Sequence, residues 1–479
     1  MNKPISTSGE SLEHGRPIVF RNGIVLTMDD AHHIFKDCDV LVVDGVIREV
    51  GTGIKAPDTA LEIDARGGII MPGMIDTHRH MWQTAMRAYG ADWTLSQYFV
   101  WYYLEHGRNF RPQDVFAGNL LSAIEAVDAG VTTSVDWSHG LQTIDHADAA
   151  VDALETVPAR FVLGYGNIQR PPWEWTADKE FQDFYSRRLD GKGDMLGFQI
   201  AFDVVAGEEF PERAAFEVAR DMGVSVNTHA GVLGANGDDS IRLMHENGFM
   251  TPDTVLVHCA TLSDDSYQRI AACGSSVSVS TESEQSAGQG YPSSWKLRQF
   301  GIPITLSHDT SVWWSADLFT AMRTTLGADR SRQHFEAHLK GETVTQLDLR
   351  SEEVIDWATR GGSKALGLDS KIGSIEVGKR ADIVLLKNDE SPVMFPILNP
   401  YGHVAMQAQR ADVHTVVVDG NIVKHEHRLI NIDLAKAKSV VEETVGYLAD
   451  SLGEEAWNAG MHPDLAPKEI IDNPYHYNK

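Results

Sequence analysis

MPGMIDTHRHMWQT, residues 71–84, decides how this chain is read. It follows the apolar segment Gly67-Gly68-Ile69-Ile70 and runs through Pro72, Gly73 and Ile75 to His78-Arg79-His80. Successive side chains of a β-strand point to opposite faces, so residues two apart share a face. His78 and His80 therefore project together from one strand end. Two adjacent imidazoles are half of a zinc-type site, and the other half must come from elsewhere in the chain.

Downstream, helical stretches such as 114–130 alternate with short apolar strands at 132–137, 160–166, 195–203, 225–229, 254–259, 276–280 and 303–309. Strand–helix alternation of this length implies a parallel sheet, and about eight strands imply a closed barrel. Polar and ionisable residues stand at the strand ends: His78 and His80, Asp136, Asp203, His229, His258 and Asp309. In such barrels the C-terminal strand ends carry the active site. Upstream, residues 17–71 are β-branched runs separated by Asn-Gly, Asp-Gly and Gly-Gly turns, and the same texture returns near 372 in GSIEVGKRADIVLL and HTVVVDGNIV. The two β-flanks are expected to form one small domain with the barrel inserted between them. Residues 431–449 read as a helix, and the tail from 462 has no clear period.

A lone His-x-His proves little, since 20 histidines in 479 residues give about one such pair by chance. His425-Glu426-His427 is such a pair, lies beyond the barrel, and reads as surface. The first pair differs because His229, His258 and Asp309 each end an apolar strand in the same way. Singly, each could be a satisfied core polar group. Together, His78, His80, His229 and Asp309 suit one divalent ion with an open water position, with His258 as a spare base.

These motifs resemble the amidohydrolase superfamily, in the branch that contains atrazine chlorohydrolase and the cytosine and guanine deaminases. PGMIDTHRH matches the family's opening PG-x-x-(D/N)-x-H-x-H, GVTTSVD its next strand, and IGSIEVGKRADIVLL its closing segment. The resemblance spans nearly the whole chain. It implies an α/β fold: a (β/α)8 TIM-type barrel over 71–367, a composite β-sandwich from 1–70 and 368–430, and a C-terminal helix and tail over 431–479. It implies metal ligands at His78, His80, His229 and Asp309, with His258 and Asp309 in the catalytic positions. Some members bridge two metals with a modified lysine on the fourth strand; MLGFQIAFD (195–203) has none, so one divalent ion is expected, zinc first, with iron, cobalt or manganese as alternatives.

The chain departs from the ring deaminases of that branch at His229-Ala230-Gly231-Val232, where they carry His-x-x-Glu. Valine cannot carry a proton to a ring nitrogen, and such general acid–base help is worth roughly 10²–10⁴ in rate. A second departure is STESEQSAGQGYP (280–292), where Glu284 takes a position usually held by asparagine. Glu284 is either a substitute acid or substrate contact, or, like Glu282, an exposed loop carboxylate. THRHMWQT (77–84), DWSHG (136–140), the run from Glu284 through Gly288 and Gly290 to Pro292, and SADLFTAMRTTL (315–326) together resemble the phenylurea and molinate hydrolases. The expected function is therefore hydrolysis of a non-peptide C–N bond, of amide, urea or carbamate type, in a small aromatic or apolar molecule. The alternatives are an aminohydrolase or dechlorinase of an N-heterocycle, or a family member that has lost its chemistry.

Residues following the strand ends are expected to line the pocket: Trp82, Gln83, Trp137, His139, Glu284 and Trp313. Trp101, Tyr102 and Tyr103, on a helix over 95–107, are expected to pack instead. Arg79 and Arg87 read either as carboxylate anchors or as structural ion-pair partners.

Bulk properties narrow the partners. A net charge of −27 argues against nucleic acid and anionic membrane surfaces. The three cysteines are far apart and fit a reducing compartment. No apolar run approaches the roughly 20 residues of a membrane span, and the first residues have no signal-peptide core. A cytoplasmic enzyme acting on a small molecule is expected, and family habit points to a homo-oligomer.

Overall fold

A computed structural model describes residues 15–205, 207–232, 236–315 and 317–466. The N-terminal stretch read for a signal peptide lies largely outside these residues, as does most of the tail after 462.

Eight strands form one parallel sheet in strict chain order: Met74–Arg79, Val131–Ser138, Arg160–Tyr165, Leu196–Ala201, Ser225–Ala230, Val255–His258, Ser276–Val279 and Ile304–Leu306. Helices cover the outside, so the strands are buried on both faces, as for the wholly buried Val131–Ser138. The ring closes where the chain leaves its last strand. Asp309 pairs in parallel with Arg79; its N–H donates to the His78 carbonyl at 3.0 Å and its carbonyl accepts from the His80 N–H at 2.7 Å. Inside the barrel a hydroxyl chain fills the layer below this closure, with Thr77 to Ser278 at 2.8 Å, Ser278 to Ser307 at 2.7 Å and Ser307 to Ser280 at 2.6 Å.

Both chain ends meet in one mixed nine-stranded sheet. Ile69–Pro72, just before the histidine strand, pairs antiparallel with Ile383–Leu386 from the other end, with Pro72 opposite Ile383. The sheet therefore runs through Pro72, two residues beyond the expected boundary. Its own core holds Phe20, Val40, Ile63, Ile70, Ile383 and Val417. A buried ion pair ties it to the barrel: Arg160 to Asp382 at 3.3 Å, each 2% exposed. The C-terminal helix, Leu434–Leu452, lies against the barrel helix Pro112–Asp128, with Thr444 donating to Asp114 at 2.8 Å. Among the described residues no helix is long and apolar enough to cross a membrane.

Gly73 is the hinge between the sheet and the histidine strand. A Cβ there would lie 2.2 Å from the Thr132 hydroxyl oxygen. Gly73→Ala is expected to cost about 1–3 kcal/mol through overpacking, read as a lower urea midpoint. Thr132→Ala in the same chain should recover part of that loss; full stability in Gly73→Ala alone would contradict the close approach.

Candidate metal centre and active site

The strand ends bring five side chains to the barrel mouth. The Nε2 atoms of His78 and His80 each lie 3.4 Å from Asp309 Oδ1. His229 Nε2 is 3.2 Å from His78 Nε2. The His258 ring stacks on His229 at 5.6 Å. The donor atoms of His78, His80 and Asp309, and those of His78, His229 and His258, fall within 4.8 Å of one another. His258 and Asp309 both take a left-handed backbone, φ 72°, rare for non-glycine residues and common where a strand end must aim a side chain into a site.

Hydrogen bonds on the far side of the rings fix which nitrogen faces inward. His80 Nδ1 meets the Trp137 carbonyl at 2.8 Å, His229 Nδ1 meets Asp203 Oδ1 at 2.9 Å, and His258 Nδ1 meets Glu284 Oε1 at 3.2 Å. A proton on each Nδ1 leaves the Nε2 lone pair pointing at the centre, the arrangement of metal-ligating histidines. Burial pushes the His80 imidazole down to about 4 and His78 well below its ordinary value, which keeps both neutral. Burial opposes ionisation of Asp309, but the surrounding imidazoles outweigh it and hold the carboxyl well below the carboxylate range. Lone pairs and a carboxylate crowded this closely repel unless a cation sits between them. Asp309 Oδ2 is buried without a hydrogen-bond partner. The donor set therefore fits one divalent ion held by His78, His80, His229 and Asp309.

The cavity in front of this cluster has a volume of about 260 Å³. Of the six side chains expected to line it, Trp313 does. The other five stand behind the wall. Gln83 donates to the Tyr98 hydroxyl at 2.7 Å and accepts from Thr310 at 2.9 Å. Trp82 packs on Phe110 at 4.8 Å and Tyr102 at 5.3 Å. Trp137 backs the ligands, its ring 4.3 Å from His229 and its indole N–H on Asn227 at 3.2 Å. His139 stands 4.3 Å from the His80 ring and 3.2 Å from the Tyr98 hydroxyl. Among the described residues the Glu284 carboxylate reaches His258 and the Ser280 N–H, the latter at 2.8 Å.

Neither glutamate is an exposed loop carboxylate. Both lie on the short helix Thr281–Ala287, with Glu284 fully buried and Glu282 7% exposed, because that helix is covered by Leu318–Leu339. Arg79 pairs with Asp76 at 2.8 Å, fully buried, and the exposed Arg87 pairs with the buried Glu125 at 2.9 Å, so both are structural ion-pair partners. Asp136 receives the Asn119 amide at 2.6 Å and the Met81 N–H at 3.3 Å, and so anchors the turn after His80.

Asp203 and Tyr103 are among the wall residues that the sequence did not place there. Asp203, seen only as a polar strand end, lines the cavity and also orients His229. Tyr103, expected to pack, lines the cavity together with Tyr98 and Phe99. The reason is a π-helical turn over Phe99–Glu105, in which the His106 N–H bonds back to the Trp101 carbonyl at 2.7 Å. Its i→i+5 repeat puts Tyr98 and Tyr103 on one face, ring centroids 6.1 Å apart, where an α-helix would separate them. The aromatic pair at spacing five was the available signal.

Fold and site together define a barrel enzyme with a metal-type centre at its C-terminal strand ends. The model of the amidohydrolase family matches residues 69–423, and the chain belongs to that family; it is a hydrolase of the amidohydrolase type. It is 27% identical over 454 residues to a 5'-deoxyadenosine deaminase of Methanosarcina acetivorans, covering 89% of this chain and 98% of that protein. The fold is similar to an adenosine deaminase from Xanthomonas campestris with bound zinc (TM-score 0.77, 19% identity, 90% and 98% of the two chains covered). It is equally similar to atrazine chlorohydrolase from Arthrobacter aurescens complexed with zinc (TM-score 0.75, 20% identity, 90% and 100% covered).

Glu282 yields a pH prediction away from the centre. Burial, reinforced by Asp317, pushes its carboxyl from 4.5 up to about 8. The folded state then holds a proton that the unfolded state releases, so this group's contribution falls as pH rises from about 4.5 to about 8. Glu282→Gln should flatten that decline, gaining on the order of a few kcal/mol at pH 8 relative to pH 5. Urea unfolding across that range checks it; parallel curves for both proteins would contradict it.

Proposed function

We propose that the protein hydrolyses a C–N bond other than a peptide bond, of amide, urea or carbamate type, in a small aromatic or apolar molecule. The observation that carries this is Val232. It lines the cavity where the ring deaminases resembled by this chain carry a glutamate, so no side chain at that position can protonate a ring nitrogen. An acyclic amide or urea does not need that proton. The likeness of the sequence to the phenylurea and molinate hydrolases points the same way.

His78, His80, His229 and Asp309 would hold the divalent ion, zinc being the first choice because similar solved structures carry it. When bound, such an ion acidifies a water from about 15.7 toward 7 and polarises the electrophile. The free oxygen of Asp309, Oδ2, takes the proton of the attacking water. His258, its Nε2 lone pair facing the centre, assists the proton transfer from the attacking water. Asp309 or His258 returns the proton to the departing nitrogen. Glu284 acts through His258 by holding its Nδ1, and so is a positioning residue rather than a substitute acid.

The second reading is an aminohydrolase or dechlorinase of an N-heterocycle. It is favoured by the length over which the chain matches 5'-deoxyadenosine deaminase. Elemental analysis with a product panel separates the readings. About one metal per chain with amine release from aryl amides, ureas or carbamates is expected; ammonia or chloride released from a ring would sink the proposal. Asp309→Ala should lose metal and turnover together, and near-wild-type activity there would overturn the mechanism.

For Glu284, Glu284→Ala is expected to lower kcat about 10- to 100-fold with KM and metal content little changed. Glu284→Gln, whose carbonyl can still accept from His258, should restore most of it. Equal losses in both variants would assign the effect to charge instead of position.

A further inference from the structure

The cavity wall has a charge pattern that the reaction itself does not require. Its described lining includes two carboxylates, Asp203 and Asp309, and no lysine or arginine. Asp203 Oδ1 is occupied by His229, accepting from its Nδ1 at 2.9 Å and its N–H at 3.2 Å. Its Oδ2 has no hydrogen-bond partner among the described residues, and the side chain, 27% exposed, opens to the cavity. An imidazole that binds a metal through Nε2 does so as the neutral ring, so a bound divalent ion is balanced by Asp309 and Asp203, and nothing positive is left over for an anionic ligand. The same wall carries aromatic and apolar side chains, Phe99, Tyr103 and Trp313, with the exposed Val205 at the rim.

Resting on the C–N hydrolase reading, we propose that this cavity selects uncharged or cationic aryl compounds bearing an N–H, which donates to Asp203 Oδ2 while the aryl ring lies between the π-helical tyrosine and Trp313, and that it rejects carboxylated analogues. A carboxylate in the cavity would lose its hydration and find Asp203 instead of a counter-charge, which is how like-charge juxtaposition enforces specificity. An N–H donor satisfies an acceptor that is otherwise left to water. The chain's net charge of −27 adds to the bias against anions before they reach the mouth.

The test uses metal-loaded protein and matched probes: acetanilide, its para-aminomethyl cation, para-acetamidobenzoate and N-methylacetanilide. Dissociation constants come from rapid-mixing tryptophan fluorescence, and aniline release is recorded separately. The order of affinities thus tests this inference, while release of aniline tests the reaction. Wild-type protein should bind the cation and acetanilide roughly tenfold or more tighter than the benzoate, and N-methylation should weaken binding several-fold. Asp203→Asn, which keeps an acceptor for His229, should narrow the cation–anion gap. Val205→Arg, at a side chain 74% exposed on the rim, should strengthen benzoate binding. If Asp203→Asn sheds metal, the Val205→Arg result decides. Benzoate binding as tight as acetanilide, absence of binding by every probe, or an order of affinities unmoved by Val205→Arg would overturn the proposal.

Discussion

The site depends on how the barrel closes. The first and last strands do not meet through an ordinary ladder rung in the middle of the sheet. They meet through the backbone of the residues that supply the donor atoms, Asp309 to His78 and His80. Closing the ring and assembling the centre are therefore one event. The two hydrogen bonds bring the carboxylate alongside two imidazoles, and the left-handed turn at Asp309 aims it inward. A barrel that failed to close would leave the donors on opposite edges of an open sheet.

The cost of that arrangement is borne by a layer around it. Polar rings with lone pairs facing one another are unfavourable alone, and buried polar groups must be paired. Trp137, Asp203 and Glu284 each satisfy one outward nitrogen with an oxygen from a different strand end or the loop after it. This second ring fixes the tautomer of each imidazole, with its Nε2 turned to the centre. It also gives Glu284 a role, holding His258, in a place too buried to meet a small molecule.

Chemistry and recognition are carried by different kinds of element. Strand ends, rigid and buried, hold the centre. The wall comes from the loops after the strands and from the π-helical turn, and Asp203, after the fourth barrel strand, serves both layers at once. A residue that orients a ligand with one oxygen and faces the cavity with the other couples selectivity to the geometry of the centre.

Much of this was legible in the chain. Alternating strand and helix patterns, with polar residues at strand ends, implied the barrel because burial on two faces demands continuous apolar runs. The period of two along the strand placed His78 and His80 on one side. The return of β-texture near 372 joined the two ends in one sheet. What the chain could not disclose was depth. Trp82, Gln83, Trp137 and His139 follow strand ends as a lining residue would, yet helix packing and hydrogen bonds turn them behind the wall. Tyr103 comes forward because a π-helical turn replaces the 3.6-residue period that sequence reading assumes. Local periodicity sets which face a side chain takes, so sequence determined the strands and the donor candidates. Which face becomes cavity and which becomes core is decided by what packs against it, and only the tertiary structure supplies that.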